Sequence, residues 1–180
     1  IWSPAIPKYK GTGPFEQIPF LFSVCFPNKK MPAFKNYLKP ISTDSRFEFL
    51  IAILEATKEF DAVLVFDKNL EQQILGKLEN LFPEKRNEIN ELRRKFIDLA
   101  EPIQSFNFYH PKFAGNFSLK AVSEIFSETS DYADLAIASG IVAMHKYEGL
   151  LHEENSIIAE ETKQQLIDYC NADTLTCLKF

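Results

Sequence analysis

Tyr169 and Asp173 stand four residues apart in a stretch that reads as helix, so their side chains share one face. A carboxylate in that position can offer oxygen to a divalent magnesium ion. A tyrosine beside such an ion can hydrogen-bond an attacking water. Far upstream, Glu71 follows a short apolar run, 62–66, that opens after Asp61. Taken alone, the tyrosine–aspartate pair also fits an ordinary helix surface. Glu71 likewise fits a solvated first-turn acid that favours the helix dipole. The chemistry becomes specific only where the two acids, from distant segments, converge at one sheet edge.

The elements that must position them follow from the apolar pattern. Residues 62–66 are β-branched-rich, bounded and too short for a helix, which predicts a buried strand. Leu70, Ile74, Leu75, Leu78 and Leu81 then recur at helical spacing. Glu71 therefore falls in the first turns of a helix, just past a strand's carboxyl end. Open α/β sheets bind ligands at that edge. Residues 1–17 hold Pro4, Pro7, Pro14, Gly11 and Gly13 and read as irregular. The aromatic run 18–26, a turn at 27–30 and the run 32–38 predict a hairpin. Thr43, Asp44 or Ser45 can cap a helix over 46–60, with Phe47, Leu50, Ile51 and Leu54 as its apolar stripe.

Pro83 opens a further helix over 84–96. It ends on the basic cluster Arg93-Arg-Lys95, which either favours the helix dipole or contacts a phosphate. Residues 96–100 are short and apolar around Asp98, and 102–116 form an aromatic-rich loop. Ser118 caps a helix running to Phe126, a turn is expected at 131–135, and helices are expected over 136–151 and 157–178. The order implies an α/β domain with a mixed sheet and a helical carboxyl half. Two or three strands are few for such a sheet. A strand ahead of Ile1 would remedy this. Ile1 is not an initiator methionine, so the chain is expected to be a piece of a longer protein with other domains.

The 180 residues suffice for one domain with its own core, and 46% apolar with 25% charged content is ordinary for a soluble globular protein. No apolar run reaches the length of a membrane span, so no membrane partner is expected. Cys25, Cys170 and Cys177 form no CxxC pair, and the odd count points to reduced thiols and a cytoplasmic protein. A net charge of −5 excludes a uniformly basic nucleic-acid binder. Residues 1–40 nevertheless carry six lysines against the single acid Glu16, a local face that could meet phosphates, although solvated edge lysines are the more common meaning. His110, His145 and His152 lack zinc-ligand spacing. No glycine-rich phosphate loop or Gly-x-Ser-x-Gly elbow is present, so serine or cysteine nucleophiles are not indicated.

Ala5-Ile-Pro-Lys-Tyr-Lys-Gly-Thr-Gly-Pro14, with Ile18-Pro-Phe20 and Phe22-Ser23, resembles the opening of a bacterial family, domain of unknown function 2779. Gly115-Asn-Phe-Ser-Leu-Lys120, Tyr132, Leu135, Gly140, Ala143, Tyr169-Cys170 and Asp173-Thr174 extend the resemblance over nearly the whole chain. That family is similar to ribonuclease-H-like 3′–5′ exonucleases of the four-carboxylate type. The resemblance implies one ribonuclease-H-like domain over 1–180, a mixed sheet flanked by helices with its first strand missing, and nucleic acid as partner. It implies two magnesium or manganese ions, about 4 Å apart in such sites, that activate water and stabilise the leaving oxygen. Glu71 matches the second acidic motif and Asp173 the third, with Tyr169 as the water-orienting tyrosine. Asp98 corresponds to a structural or near-site acid, and Lys120 to a phosphate contact or a surface lysine. The first motif, an Asp-x-Glu strand directly before the Pro4-Ala5 string, is lacking, so these 180 residues are expected to be inactive. Leu21, Cys25 and Asp67 depart from the family pattern. A non-catalytic nuclease fold that binds nucleic acid or protein is the alternative.

Overall fold

The computed structural model describes residues 1–26, 32–126, 132 and 135–179. Strands β1 (Leu21–Phe26) and β2 (Ala33–Leu38) pair antiparallel, with Leu21 opposite Leu38 and Phe26 opposite Ala33. This is the expected hairpin; its turn at 27–30 lies outside the described residues. The first strand starts later than its apolar run, because Ile18 pairs instead with Trp2 through two backbone bonds of 2.9 and 2.8 Å. The proline-rich start is thereby pinned by a fully buried tryptophan.

Helix α1 (Arg46–Thr57) follows. Ser45 occupies its cap position without a side-chain cap bond, while the Asp44 carboxylate grips the Arg46 guanidinium at 2.8 and 2.7 Å. The buried face corrects the expected stripe. Phe49 and Leu50 point inward, and Phe47 is exposed. Phe49 meets the rings of Phe22 and Tyr37 edge-on at 5.3 and 5.9 Å, whereas Phe47 reaches only Phe82 at the rim. A helix with apolar residues at 47, 49, 50, 51, 53 and 54 has two candidate faces, and the aromatic hairpin selects between them.

Strand β3 (Val63–Val65) leads into α2 (Lys68–Leu81), which buries Ile74, Leu75 and Leu78 and leaves Leu70 and Leu81 exposed. The helix expected over 84–96 is a single 3-10 turn, Pro83–Lys85, and then α3 (Arg86–Arg94). Its last apolar residue belongs to β4 (Phe96–Asp98), which runs parallel to β3 with Val63 opposite Phe96. Two members of the basic cluster are used internally, while Arg94 is exposed. Arg93 binds Glu79 at 2.6 Å, and the Lys95 ammonium donates to the carbonyls of Thr57 and Lys58 at the end of α1. That is a cation at a helix carboxyl terminus, where the dipole favours it.

Short α4 (Glu101–Gln104) and a 3-10 turn at Pro111–Phe113 organise the aromatic loop. Helices α5 (Leu119–Phe126), α6 (Gly140–Gly149) and α7 (Ser156–Cys177) complete the chain. Helix α6 begins later than expected because Ser139 caps it, its hydroxyl accepting from the Val142 N–H at 3.3 Å. Among the described residues three apolar cores result. Phe22, Phe49, Leu50, Leu78, Ile89 and Leu92 lock the hairpin to α1, α2 and α3. Trp2, Ile18, Phe20, Tyr147 and Leu166 fix the amino-terminal segment on α6 and α7. Ile103, Phe113 and Val122 gather beside Phe66. The chain is thus mixed α/β, and among the described residues there are one antiparallel and one parallel strand pair and not the single mixed sheet expected. Among the described residues no helix is long and apolar enough to cross a membrane.

Candidate functional site

The acids at the start of α2 are set by backbone geometry. Asp67 adopts a left-handed conformation, φ 62°, and caps the helix through Asn69. Aspartate and asparagine tolerate that conformation better than most residues. Asp98, at the end of β4, accepts from the N–H groups of Asp67 and Ala100 at 3.0 Å and of Lys68 at 3.1 Å. Its carboxylate ties the strand pair to the helix, a structural role that leaves both oxygens engaged. Glu71 sits one turn on. Burial, with Asp67 and Asp98 close by, pushes its carboxyl up to about 7, and its Oε2 is buried with no hydrogen-bond partner.

Helix α7 brings the second acid. Tyr132 donates to Asp173 Oδ1 at 2.8 Å, and the Tyr169 hydroxyl bonds the same carboxylate. Burial raises the Asp173 carboxyl, against the opposing pull of Tyr132, Lys120 and Tyr169. Burial also holds both tyrosine hydroxyls well above their ordinary range, reinforced by the neighbouring carboxylate. The Lys120 ammonium lies 4.3 Å over the Tyr132 ring and 5.1 Å over Tyr169, and it donates to the Ala138 carbonyl. This cation is held inward by two aromatic faces and a carbonyl.

Glu71, Lys120, Tyr169 and Asp173 all line one cavity of about 960 Å³. Cys177 lies near both acids and lines the same cavity. Burial lifts its thiol to about 12, and Asp173 and Glu71 both add to the rise. All three cysteines are free and half-buried. Sequence reasoning gave Tyr132 no role. It lies far from Asp173 along the chain, and no periodic pattern links them. Lys39, expected among the lysines of a surface face, is instead buried: its ammonium bonds the Tyr9 hydroxyl and the Thr43 carbonyl, and it anchors the loop that carries the Ala5–Pro14 string.

Magnesium asks for about six oxygens in octahedral array. The cavity offers two carboxylates, and Tyr132 occupies one Asp173 oxygen. Among the described residues no three His, Cys, Asp or Glu side chains gather as a metal-holding group. The residues present therefore do not fit a metal pair on their own.

No curated protein and no solved structure matches the chain significantly. A family model does match, over residues 2–118, a span that includes Glu71 and ends before Lys120, Tyr169 and Asp173. With well over half its length so matched, the chain belongs to the family described as Domain of unknown function (DUF2779).

Proposed function

We propose that the chain belongs to a ribonuclease-H-like, exonuclease-type domain that hydrolyses phosphodiester bonds of DNA or RNA. The observation behind this reading is that Glu71 and Asp173, from distant segments, line one cavity and both act on Cys177. In this reading Tyr169 orients water beside Asp173, and Lys120, a cation lining the cavity, leaves the tyrosine rings to meet the phosphate. Two carboxylates are too few for divalent ions, so the remaining donors come from outside residues 1–180, and these residues alone are inactive.

The test uses labelled single-stranded DNA and RNA with 10 mM magnesium, a concentration on the order of a weak carboxylate site. Residues 1–180 leave both strands intact, and a longer protein containing them shortens a strand from its 3′ end. Asp173→Asn abolishes that activity. Robust magnesium-dependent degradation by residues 1–180 refutes the scheme.

A second reading, a non-catalytic nuclease fold that binds nucleic acid or protein through other residues, draws on the departures at Leu21, Cys25 and Asp67 and on Lys120. Its ammonium is engaged by Tyr132, Tyr169 and Ala138, which leaves it poorly placed for phosphate. Salt-dependent binding of single strands, with no cleavage by the longer protein, selects this reading.

A further inference from the structure

The aromatic loop takes no part in the chemistry at Glu71 and Asp173. Its centre is the buried Phe113, and the rings of Phe108, Tyr109, His110 and Phe117 surround it at 5.7–6.2 Å, inclined by 72–77°. Phe106 stands edge-on to Phe117 at 5.8 Å, and Phe126 of α5 lies against Phe108 at 5.5 Å. One hub therefore carries a continuous run of rings. Phe106, Phe108, Tyr109 and Phe126 are exposed, Phe106 by 67% and Tyr109 by 55%. The loop holds them outward at a cost. Phe106 adopts a left-handed conformation, φ 58°, which a bulky residue rarely takes. Its N–H donates to the Ile103 carbonyl at 3.1 Å and the Phe108 N–H to the Pro102 carbonyl at 2.9 Å, so backbone bonds fix the turn. Backbone outliers of this kind cluster where ligands are clamped, and large exposed apolar patches mark interaction sites.

Charge and composition say what fits there. The chain has 25 acidic residues, yet 102–123 contains none, while Lys112 is exposed within it. Glu101 and Glu124 bound the stretch, and Glu101 is paired with Lys68 at 3.4 Å. An anion approaching these rings meets no carboxylate between those bounds. Every large apolar residue exposed between 101 and 126 is aromatic and none is aliphatic, which suits flat π-faces. Exposed Gln104, Ser105, Asn107 and Asn116 interleave with the rings and can hydrogen-bond base edges. The surface also runs into the cavity, because Phe117 is followed by Ser118, Leu119 and Lys120, which line it. We propose that Phe106, Phe108, Tyr109 and Phe126 form a stacking surface for the unpaired bases of a single-stranded nucleic acid whose end reaches the cavity. Every base has a π-face, so such a surface is tolerant of sequence. A duplex keeps its bases stacked on one another and gains little from it. The entry of the strand's end rests on the nuclease reading; the stacking itself does not.

The test measures binding by fluorescence anisotropy, with residues 1–180 at about 50 mM salt and no divalent ions. The labelled ligands are a single strand of about twelve nucleotides, an abasic strand with the same number of phosphates, and a blunt duplex, in DNA and RNA forms. The single strand is expected to bind at least about tenfold tighter than the abasic strand and the duplex. Phe106→Leu with Tyr109→Leu keeps the apolar bulk and removes two exposed rings. It is expected to weaken single-strand binding about tenfold or more, with the melting temperature and the abasic affinity unchanged. Equal affinity for strands with and without bases overturns the proposal. So does equal affinity of wild type and the double variant, or no binding of any strand. The two readings fail separately: a longer protein that leaves strands intact sinks the nuclease reading alone, and Asp173→Asn is expected to leave this binding as it was.

Discussion

Glu71→Gln isolates the electrostatics of the cavity. The Glu71 carboxyl rises from 4.5 to about 7 because burial disfavours the charged form, and Asp67 and Asp98 add repulsion. Each unit is worth about 1.4 kcal/mol between protonation states. The folded chain therefore carries a penalty on the order of 3 kcal/mol once Glu71 is ionised. The sign is fixed by linkage. Between about pH 4.5 and 7 the folded state binds a proton that the unfolded state has released, so stability falls as pH rises through that window. Glutamine has the same shape and no charge to lose. Urea denaturation at half-unit steps from pH 4.5 to 8.5 should show wild type losing 2–3 kcal/mol of stability, and Glu71→Gln losing much less. Asp173 is raised in the same direction and leaves a residual slope, which Glu71→Gln with Asp173→Asn should remove. Parallel curves for wild type and Glu71→Gln would refute the reasoning, because the carboxylate would then be solvated and the cavity open to water.

Other outcomes follow from single contacts. Tyr132→Phe removes the donor to buried Asp173 and should cost about 1–3 kcal/mol by urea denaturation, with the Asp173 carboxyl resonance titrating still higher. Asp98→Ala strips the acceptor from three backbone N–H groups and should cost about 2–4 kcal/mol, with Asp98→Asn recovering part of the melting temperature. The Lys39 ammonium is lowered by burial to about 8, so wild type should gain stability as pH rises from 8 to 10.5, and Lys39→Met should lose that rise. Tyr9, pushed up to about 12 by burial, acts with the opposite sign above pH 10, which bounds the window.

Much of the architecture is legible because it is local. The aromatic hairpin, the apolar stripe of α2 and the long α7 all announce themselves through period and punctuation. Strand β4 does not. Three residues beside a charged helix end carry no alternation, and they become a strand only because β3 lies alongside. The inward face of α1 is likewise decided by its neighbours, through the rings of Phe22 and Tyr37. Strand-then-helix order places Glu71 in the first turn of α2, and helical spacing puts Tyr169 and Asp173 on one face, but neither shows that all three line one cavity. Tyr132 and Lys120 are brought there by tertiary packing alone, from separate elements.

The start of α2 also limits what can bind. A helix amino terminus ordinarily attracts anions, but here the Asp98 and Asp67 carboxylates already fill that position. Glu71 lies one turn further into the same negative field, and Asp173 closes it from α7. A phosphate meeting this surface unaided would face repulsion from four acids, with Lys120 turned toward the tyrosine rings. Any phosphodiester chemistry at this edge therefore requires positive charge brought in from outside the described residues. Glu71 itself keeps a raised carboxyl because burial and the neighbouring Asp67 and Asp98 disfavour its charged form, and its Oε2 has no hydrogen-bond partner.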